Sequence, residues 1–356
     1  MLRSYLEIII LDCLVQINGE RTIYSIFHIL KGKKSSQTIQ DSHLFGISHY
    51  FRIFPSLNRN DFQQTLMHLH TYRYIEVIDL EKGSYRITNT TKKILEQKVK
   101  EQPLPVHLNG FRYHMIAKPF WERFSLLFQV LSNAVHRNPK YYSIQRDASI
   151  QQWVKQFLFR SGNIHLLSNH LYEELFSVLS TIPKKQADIF VLKLSGYERI
   201  GQSDRQIADL LGLDEVFVHI SVLDVVHLLL ETADKQQKEH KLLAYIGSDL
   251  LAANSSPITQ SSLSTLEYYN QGMGLEEIAT VRNLKRNTIE DHIVELAIHQ
   301  AHFDITPFVN EQLMKSILKI ASEADTKQLK YIKESISEDV TYFQIRLALA
   351  KGGRVL

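Results

Sequence analysis

Along most of this chain, apolar residues recur every three or four positions, the period of a helix with one face in a core. Leu2–Gln16 and Tyr24–Leu30 have this character, and Asn60–Tyr72 carries Phe62, Leu66, Leu69 and Tyr72 on one stripe. The period changes to two at Tyr74-Ile-Glu-Val-Ile-Asp-Leu and at Tyr85-Arg-Ile-Thr, on either side of Glu81-Lys-Gly-Ser84. That alternation around a glycine-containing turn predicts a β-hairpin. Helix resumes over Thr88–Lys98. Two or three helices, a hairpin and a further helix are the elements of a winged helix.

Lys100-Glu-Gln-Pro-Leu-Pro105 reads as a linker. Beyond it lie aromatic-rich helices carrying Phe111, Tyr113, Phe120, Trp121, Phe124, Phe128, Tyr141, Tyr142, Trp153, Phe157 and Phe159. Arg112, Lys118, Arg123, Arg137, Lys140, Arg146, Lys155 and Arg160 interleave with these rings. Such a mixture permits single-strand binding by base stacking. The spacing of Trp121, Phe124 and Phe128, however, places those three in a core.

Ser203 is a credible N-cap for a helix over Asp204-Arg-Gln-Ile-Ala-Asp-Leu-Leu. Gly212 then turns the chain into a helix from Asp214 to Leu230, giving a helix-turn-helix candidate. Asn254-Ser-Ser-Pro-Ile-Thr-Gln-Ser-Ser262 reads as a boundary. Over Ser264–His299, Leu266, Tyr269, Ile278, Ala279, Leu284, Ile289 and Ile293 share a face. Gly272-Met-Gly274 ends one helix, Leu275-Glu-Glu-Ile opens a second, and Asn283-Leu-Lys turns into a third at Arg286. This is a second helix-turn-helix, with Arg286–His299 in the recognition position. Asn310–Ala321, Thr326–Ser335 and Val340–Lys351 complete the helical pattern.

The expected fold is therefore mainly α: an N-terminal winged helix with a small β-hairpin wing, a helical middle region and two helix-turn-helix units. The divisions fall at residues 1–98, 99–165, 166–253 and 254–356.

Composition, at 44% hydrophobic and 22% charged, is that of an ordinary soluble protein. The single cysteine, Cys13, excludes a disulfide framework within the chain and a cysteine-built zinc cluster, and suits the cytosol. Glu7 and Asp12 interrupt the apolar N-terminal run, which reads as a core helix and not a signal peptide. No stretch reaches the ~20 uninterrupted apolar residues of a membrane span, so no membrane partner is expected. The net charge of +3 is uneven. Residues 1–165 hold 22 Lys and Arg against 12 Asp and Glu, and residues 166–356 hold 19 against 26. A polyanion meets the N-terminal half first, and the acidic half is better suited to a protein partner.

No chemistry-bearing constellation emerges. There is no phosphate loop and no dinucleotide-type glycine cluster. The sixteen histidines lack metal-ligand spacing: His292 with His299, and His165 with His170, have no third ligand. Glu173-Glu174 and Glu276-Glu277 are adjacent surface acids. No catalytic residue, metal or cofactor is expected.

Three stretches resemble known families. Glu277-Ile-Ala, Arg282, Leu284, Thr288-Ile and Asp291-His, together with the closing Asp339-Val-Thr-Tyr-Phe-Gln-Ile-Arg-Leu-Ala-Leu-Ala, resemble the helicase-associated helix-turn-helix domain. That domain occurs at the C-termini of some RecQ-type helicases and in small bacterial proteins encoded beside them. Ile29-Leu-Lys-Gly-Lys-Lys, Leu44-Phe-Gly-Ile, Tyr72-Arg-Tyr-Ile and Tyr85-Arg-Ile-Thr are similar to the RecQ C-terminal winged-helix domain, without its preceding zinc cysteines or an aromatic wing tip. The helix-turn-helix candidate within residues 166–235 is similar to region 4 of bacterial sigma factors, but Asp214-Glu-Val-Phe-Val-His-Ile offers no side chain suited to reading base edges.

The resemblance implies a non-enzymatic DNA-binding accessory protein of the bacterial cytoplasm, nucleoid-associated when bound to DNA, acting with a RecQ-type helicase in repair or recombination. Lys31, Lys33, Lys34, Arg59, Lys82 and Arg86 are the candidate phosphate contacts. Lys285, Arg286, Asn287 and Thr288 are candidates at the start of the C-terminal recognition helix, where Glu290, Asp291 and Glu295 oppose a polyanion. The alternatives are a sequence-specific helix-turn-helix regulator and a scaffold that does not bind DNA.

Overall fold

The first helix, α1 (Tyr5–Ile17), is apolar on almost every side and buries Ile8, Ile9, Ile10, Leu11, Cys13 and Leu14. In the computed structural model, which describes residues 2–254, 258–300, 302–324, 326–336 and 339–352, nineteen α-helices and one two-stranded sheet follow in the order below. α2 (Ile23–Lys31), α3 (Ser36–Leu44) and α4 (Arg59–Thr71) precede the hairpin of β1 (Ile75–Asp79) and β2 (Ser84–Ile87), and α5 (Asn89–Glu101) leaves it. The middle of the chain forms α6 (Gly110–Tyr113), α7 (Ala117–Val135), α8 (Ala148–Ser161), α9 (Ile164–Leu179), α10 (Lys184–Leu192), α11 (Asp204–Leu211), α12 (Glu215–Lys235) and α13 (Lys241–Ala253). The C-terminal stretch forms α14 (Gln260–Asn270), α15 (Leu275–Val281), α16 (Arg286–His299), α17 (Glu311–Glu323), α18 (Leu329–Ser335) and α19 (Tyr342–Gly352).

These elements gather into two units that are discontinuous in sequence: Met1–Ile9 with Ile94–Ser255, and Ile10–Lys93 with Ser256–Leu356. The divisions fall inside α1 and α5. The expected boundary at Asn254-Ser-Ser-Pro lies mostly on residues 255–257, outside the described residues.

The first unit is built on α12, which packs against α7, α10, α11 and α13. Its 21 residues are long and apolar enough to cross a membrane although polar residues interrupt the apolar run, yet two-thirds of its most apolar stretch is buried. Phe217, Val218, Ile220, Ser221 and Val222 face inward, so the recognition position of the first helix-turn-helix candidate is spent on packing. Two polar residues on α12 have backbone partners: Asp224 accepts the His107 N–H at 2.8 Å, and His227 Nδ1 accepts the Asn109 N–H at 2.9 Å. Ser203 caps α11 with a reciprocal bond from Gln206, and Gly212 ends that helix at a positive φ of 64°. Phe120, Phe124, Phe157 and Phe190 form the aromatic part of this core, so most of the middle region's rings are structural.

The second unit joins the N-terminal helices and hairpin to the C-terminal bundle. Helix, helix, helix, hairpin is the element order expected of a winged helix. β1 and β2 are antiparallel, with Ile75 opposite Ile87 and Glu76 opposite Arg86. α3 lay unrecognised in sequence because Ser-Gln-Thr-Ile-Gln-Asp-Ser-His-Leu has little apolar character. Ser35 caps it, and α16 and α19 pack against it. Around that seam the His43 and His299 rings meet edge-on at 4.9 Å, and Lys327 N–H donates to Glu20 at 2.8 Å.

Candidate nucleic-acid interface

In the C-terminal helix-turn-helix, Ile278, Ala279 and Ile289 form a small buried cluster packed by Tyr268, Tyr269, Met273, Leu275 and Leu284. Gly274 caps α15, and its N–H donates to Glu277 at 2.7 Å. The turn needs a left-handed residue, and Asn283, at φ 50°, supplies it. Arg282 then ties α15 to α14, donating to the Ser261 carbonyl at 2.8 Å and to the Thr265 hydroxyl.

α16 departs from the amphipathic expectation. From His292 to Ile298 every residue is buried. Its acids are occupied within the unit and do not confront a polyanion freely. Glu295 accepts the Thr259 N–H at 2.6 Å and the Ser262 hydroxyl at 2.7 Å. Asp291 pairs with Arg346 of α19, and Glu290 pairs with Arg286 at 3.0 Å. His292 is held uncharged: burial first, then the Arg282 charge, pushes it down to about 4.

Only the first turn of α16 faces solvent. Lys285 and Asn287 are exposed, and Thr288 is half-buried. Arg286 is exposed too, but its guanidinium is shared between Glu276 and Glu290. Those two carboxylates raise its pKa further, so it presents a compensated charge.

The N-terminal candidates divide into two groups. Gly32, at φ 78°, ends α2, and a Cβ there would lie 2.3 Å from Cβ of Arg52. This turn displays Lys31, Lys33 and Lys34, all exposed. Arg59 opens α4 with its guanidinium 4.7 Å from the centre of the Tyr24 ring. The His28 pKa is lowered by burial and then by Lys33, Arg59 and Lys31 in turn, so all three charges lie within electrostatic reach of one imidazole. The other group, on the hairpin, is neutralised: Lys82 pairs with Asp79 at 2.8 Å, and Arg86 pairs with Glu76 directly opposite.

One face of α4 escaped the sequence reading, which followed the apolar stripe. Asn60, Gln63, Gln64, Met67 and His70 are exposed at helical spacing, and Gln63 donates to the Tyr24 hydroxyl at 2.8 Å. The signal was the complement of the stripe: amides at i, i+3 and i+4 from Asn60.

The second unit also holds a cavity of about 1040 Å³, lined in part by Arg21, Asp41, Phe45, Asp291, Arg346 and Leu349. Its charges are matched internally: Arg21 pairs with Asp41 at 2.9 Å, and Arg346 with Asp291. Among the described residues, no three His, Cys, Asp or Glu side chains converge as metal ligands.

Residues 261–349, spanning α14 to nearly the end of α19, match the helix-turn-helix domain family. The protein YpbB of Bacillus subtilis (strain 168) is 36% identical over 348 residues, covering 98% of this chain and 97% of that protein. The chain belongs to the YpbB family. The likeness to YpbB runs through both units, so the interleaved arrangement of 10–93 with 256–356 falls within the aligned length. No solved structure matches.

Proposed function

We propose that this chain is a non-enzymatic DNA-binding accessory protein that works with a RecQ-type helicase in repair or recombination. The observation that carries the DNA-binding part is the placing of exposed Lys31 and Lys33 at the end of α2 and of Arg59, stacked on Tyr24 of α2, at the start of α4, whose polar face joins Tyr24 through Gln63. Cations gathered at one end of a helix whose amide side chains face outward suit duplex phosphates with a helix lying along a groove. The helicase partner rests on the resemblance of Glu277–His292 and Asp339–Ala350 to a helicase-associated domain, and a helix-turn-helix domain is present there.

A sequence-specific regulator is less well supported. Of the two helix-turn-helix units, one has its recognition helix buried in a core, and the other exposes a single turn whose arginine is already paired.

The test is titration of the full-length protein against a fluorescent duplex at rising salt. Lys31→Glu with Lys33→Glu should weaken binding equally for unrelated sequences. Removing the two phosphate contacts should lower the salt-dependence slope by about 2. Unchanged affinity would sink the phosphate cluster, and loss confined to one sequence would favour a regulator. Recovery of a helicase with the intact protein from its own cells tests the partner.

A further inference from the structure

Between α7 and α8 the chain runs through His136-Arg-Asn-Pro-Lys-Tyr-Tyr-Ser-Ile-Gln-Arg146, a stretch with three basic residues and no acid. The loop is not slack. Gln129, buried on α7, donates its side-chain N–H to the Tyr142 carbonyl at 3.0 Å and accepts the Ile144 N–H at 3.0 Å. Asn133, also buried, accepts from the Asn138 side chain at 2.8 Å, and Gln151 donates to the Gln145 carbonyl at 2.8 Å. These side-chain amides fix the backbone on both sides of Tyr142, yet Tyr142 is 98% exposed. An aromatic ring left in water contributes nothing to the core, so the anchoring serves its display.

The charges of this loop differ from many in the same region, although Lys155 and Arg160 of α8 likewise make no ion pair among the described residues. Lys98, Arg112, Lys118 and Arg123 each sit against a carboxylate. Arg137, Lys140 and Arg146 are exposed, and none of them makes an ion pair among the described residues. The first acid after the loop, Asp147, is engaged in capping α8, accepting the Ser149 N–H at 2.8 Å.

We propose that this loop binds single-stranded DNA, with a base stacked on Tyr142 and the flanking phosphates held by Arg137, Lys140 and Arg146. A flat ring on a hydrogen-bonded support, in a loop that also carries three exposed cations, matches an unstacked base with its backbone. A duplex offers the same phosphates but keeps its base faces against one another, so the ring has no role there. The site is independent of the Lys31, Lys33 and Arg59 cluster, and either can fail without the other.

The experiment uses the full-length protein with a short fluorescent oligothymidylate and, in parallel, a duplex. Tyr142→Ala should weaken oligothymidylate binding about 10-fold or more. Tyr142→Phe should restore it, and duplex affinity should hold throughout. Because Tyr142 is exposed and its carbonyl remains available to Gln129, the variant keeps its fold. Replacing Arg137, Lys140 and Arg146 together by serine should lower the single-strand salt slope by about 2. The proposal is overturned if the parent fails to bind oligothymidylate at low salt. It is equally overturned if Tyr142→Ala binds like the parent or loses duplex and single strand alike. Tighter, Tyr142-dependent binding of oligouridylate would assign the loop to RNA instead.

Discussion

Glu295 of α16 reaches back to Thr259 at the start of α14, accepting both its N–H, at 2.6 Å, and its hydroxyl, at 3.0 Å. A carboxylate at a helix N-terminus satisfies orphan donors and meets the positive end of the helix dipole. Here it is also 4% exposed, so the helix that superficially offers acids to DNA uses one of them as an internal tie. Glu295→Ala should destabilise the second unit by about 2–4 kcal/mol, because several donors lose a charged acceptor together. Chemical denaturation measures this, and a change under half a kilocalorie would refute the tie.

Arg286 supplies a contrasting case. Its guanidinium is already divided between Glu276 and Glu290, so it is poorly placed to give up those partners for phosphate. Arg286→Ala is expected to alter duplex affinity less than twofold, whereas Lys33→Glu should weaken it several-fold. Equal losses from both would place the α16 first turn in the DNA contact after all.

His227 predicts a pH dependence. Burial, with His114 nearby, pushes its pKa down to about 3, so the folded state keeps it neutral while the unfolded chain protonates it near 6.5. A folded-state pKa below the unfolded one means stability is fully present above pH 6.5 and declines as pH falls from there toward 3. The loss should be roughly 2 kcal/mol by pH 5. His227→Asn should flatten the profile over that range, measured by denaturation of parent and variant between pH 7 and 5. An unchanged profile would mean that another group dominates.

The sharing of one unit by both ends of the chain yields a deletion experiment. Removing residues 256–356 strips α16 and α19 from α3, while the first unit keeps all of α12. Hydrogen exchange should become fast at α3 and stay slow at α12. Protection at α3 equal to that of the parent would show that residues 10–93 hold their structure alone.

Local features were legible and distant ones were not. The Ser203 cap, the Gly212 turn, the hairpin and the Asn283 turn depend on residues within a few positions of each other, and each stands where its spacing placed it. α3 was hard to read because Ile39 and Leu44 are the only apolar residues in its nine, and besides α2 it packs on α16 and α19, some 250 to 300 positions away. The burial of α16 was hidden for a related reason. Glu295 read as an acid facing a polyanion, and its hydrogen bonds to Thr259 and Ser262 at the start of α14, with that of His292 to Thr265, are contacts between helices separated by α15. For the candidate interface, the lysine cluster was legible, but the pairing of Arg86 with Glu76 follows from strand register and that of Lys82 with Asp79 from the turn between the strands.

The division of the second unit around the first carries a cost in time. Residues 94–255 are synthesised before the partners of Ile10–Lys93 exist. At 5–20 residues per second, a ribosome needs roughly ten to thirty seconds to cross that interval. Through that wait, Ile39 and the apolar side of the early helices have no α16 to cover them. The nascent chain therefore passes through a stage in which its basic N-terminal segment is made but its seam is open, when holding by a chaperone matters most.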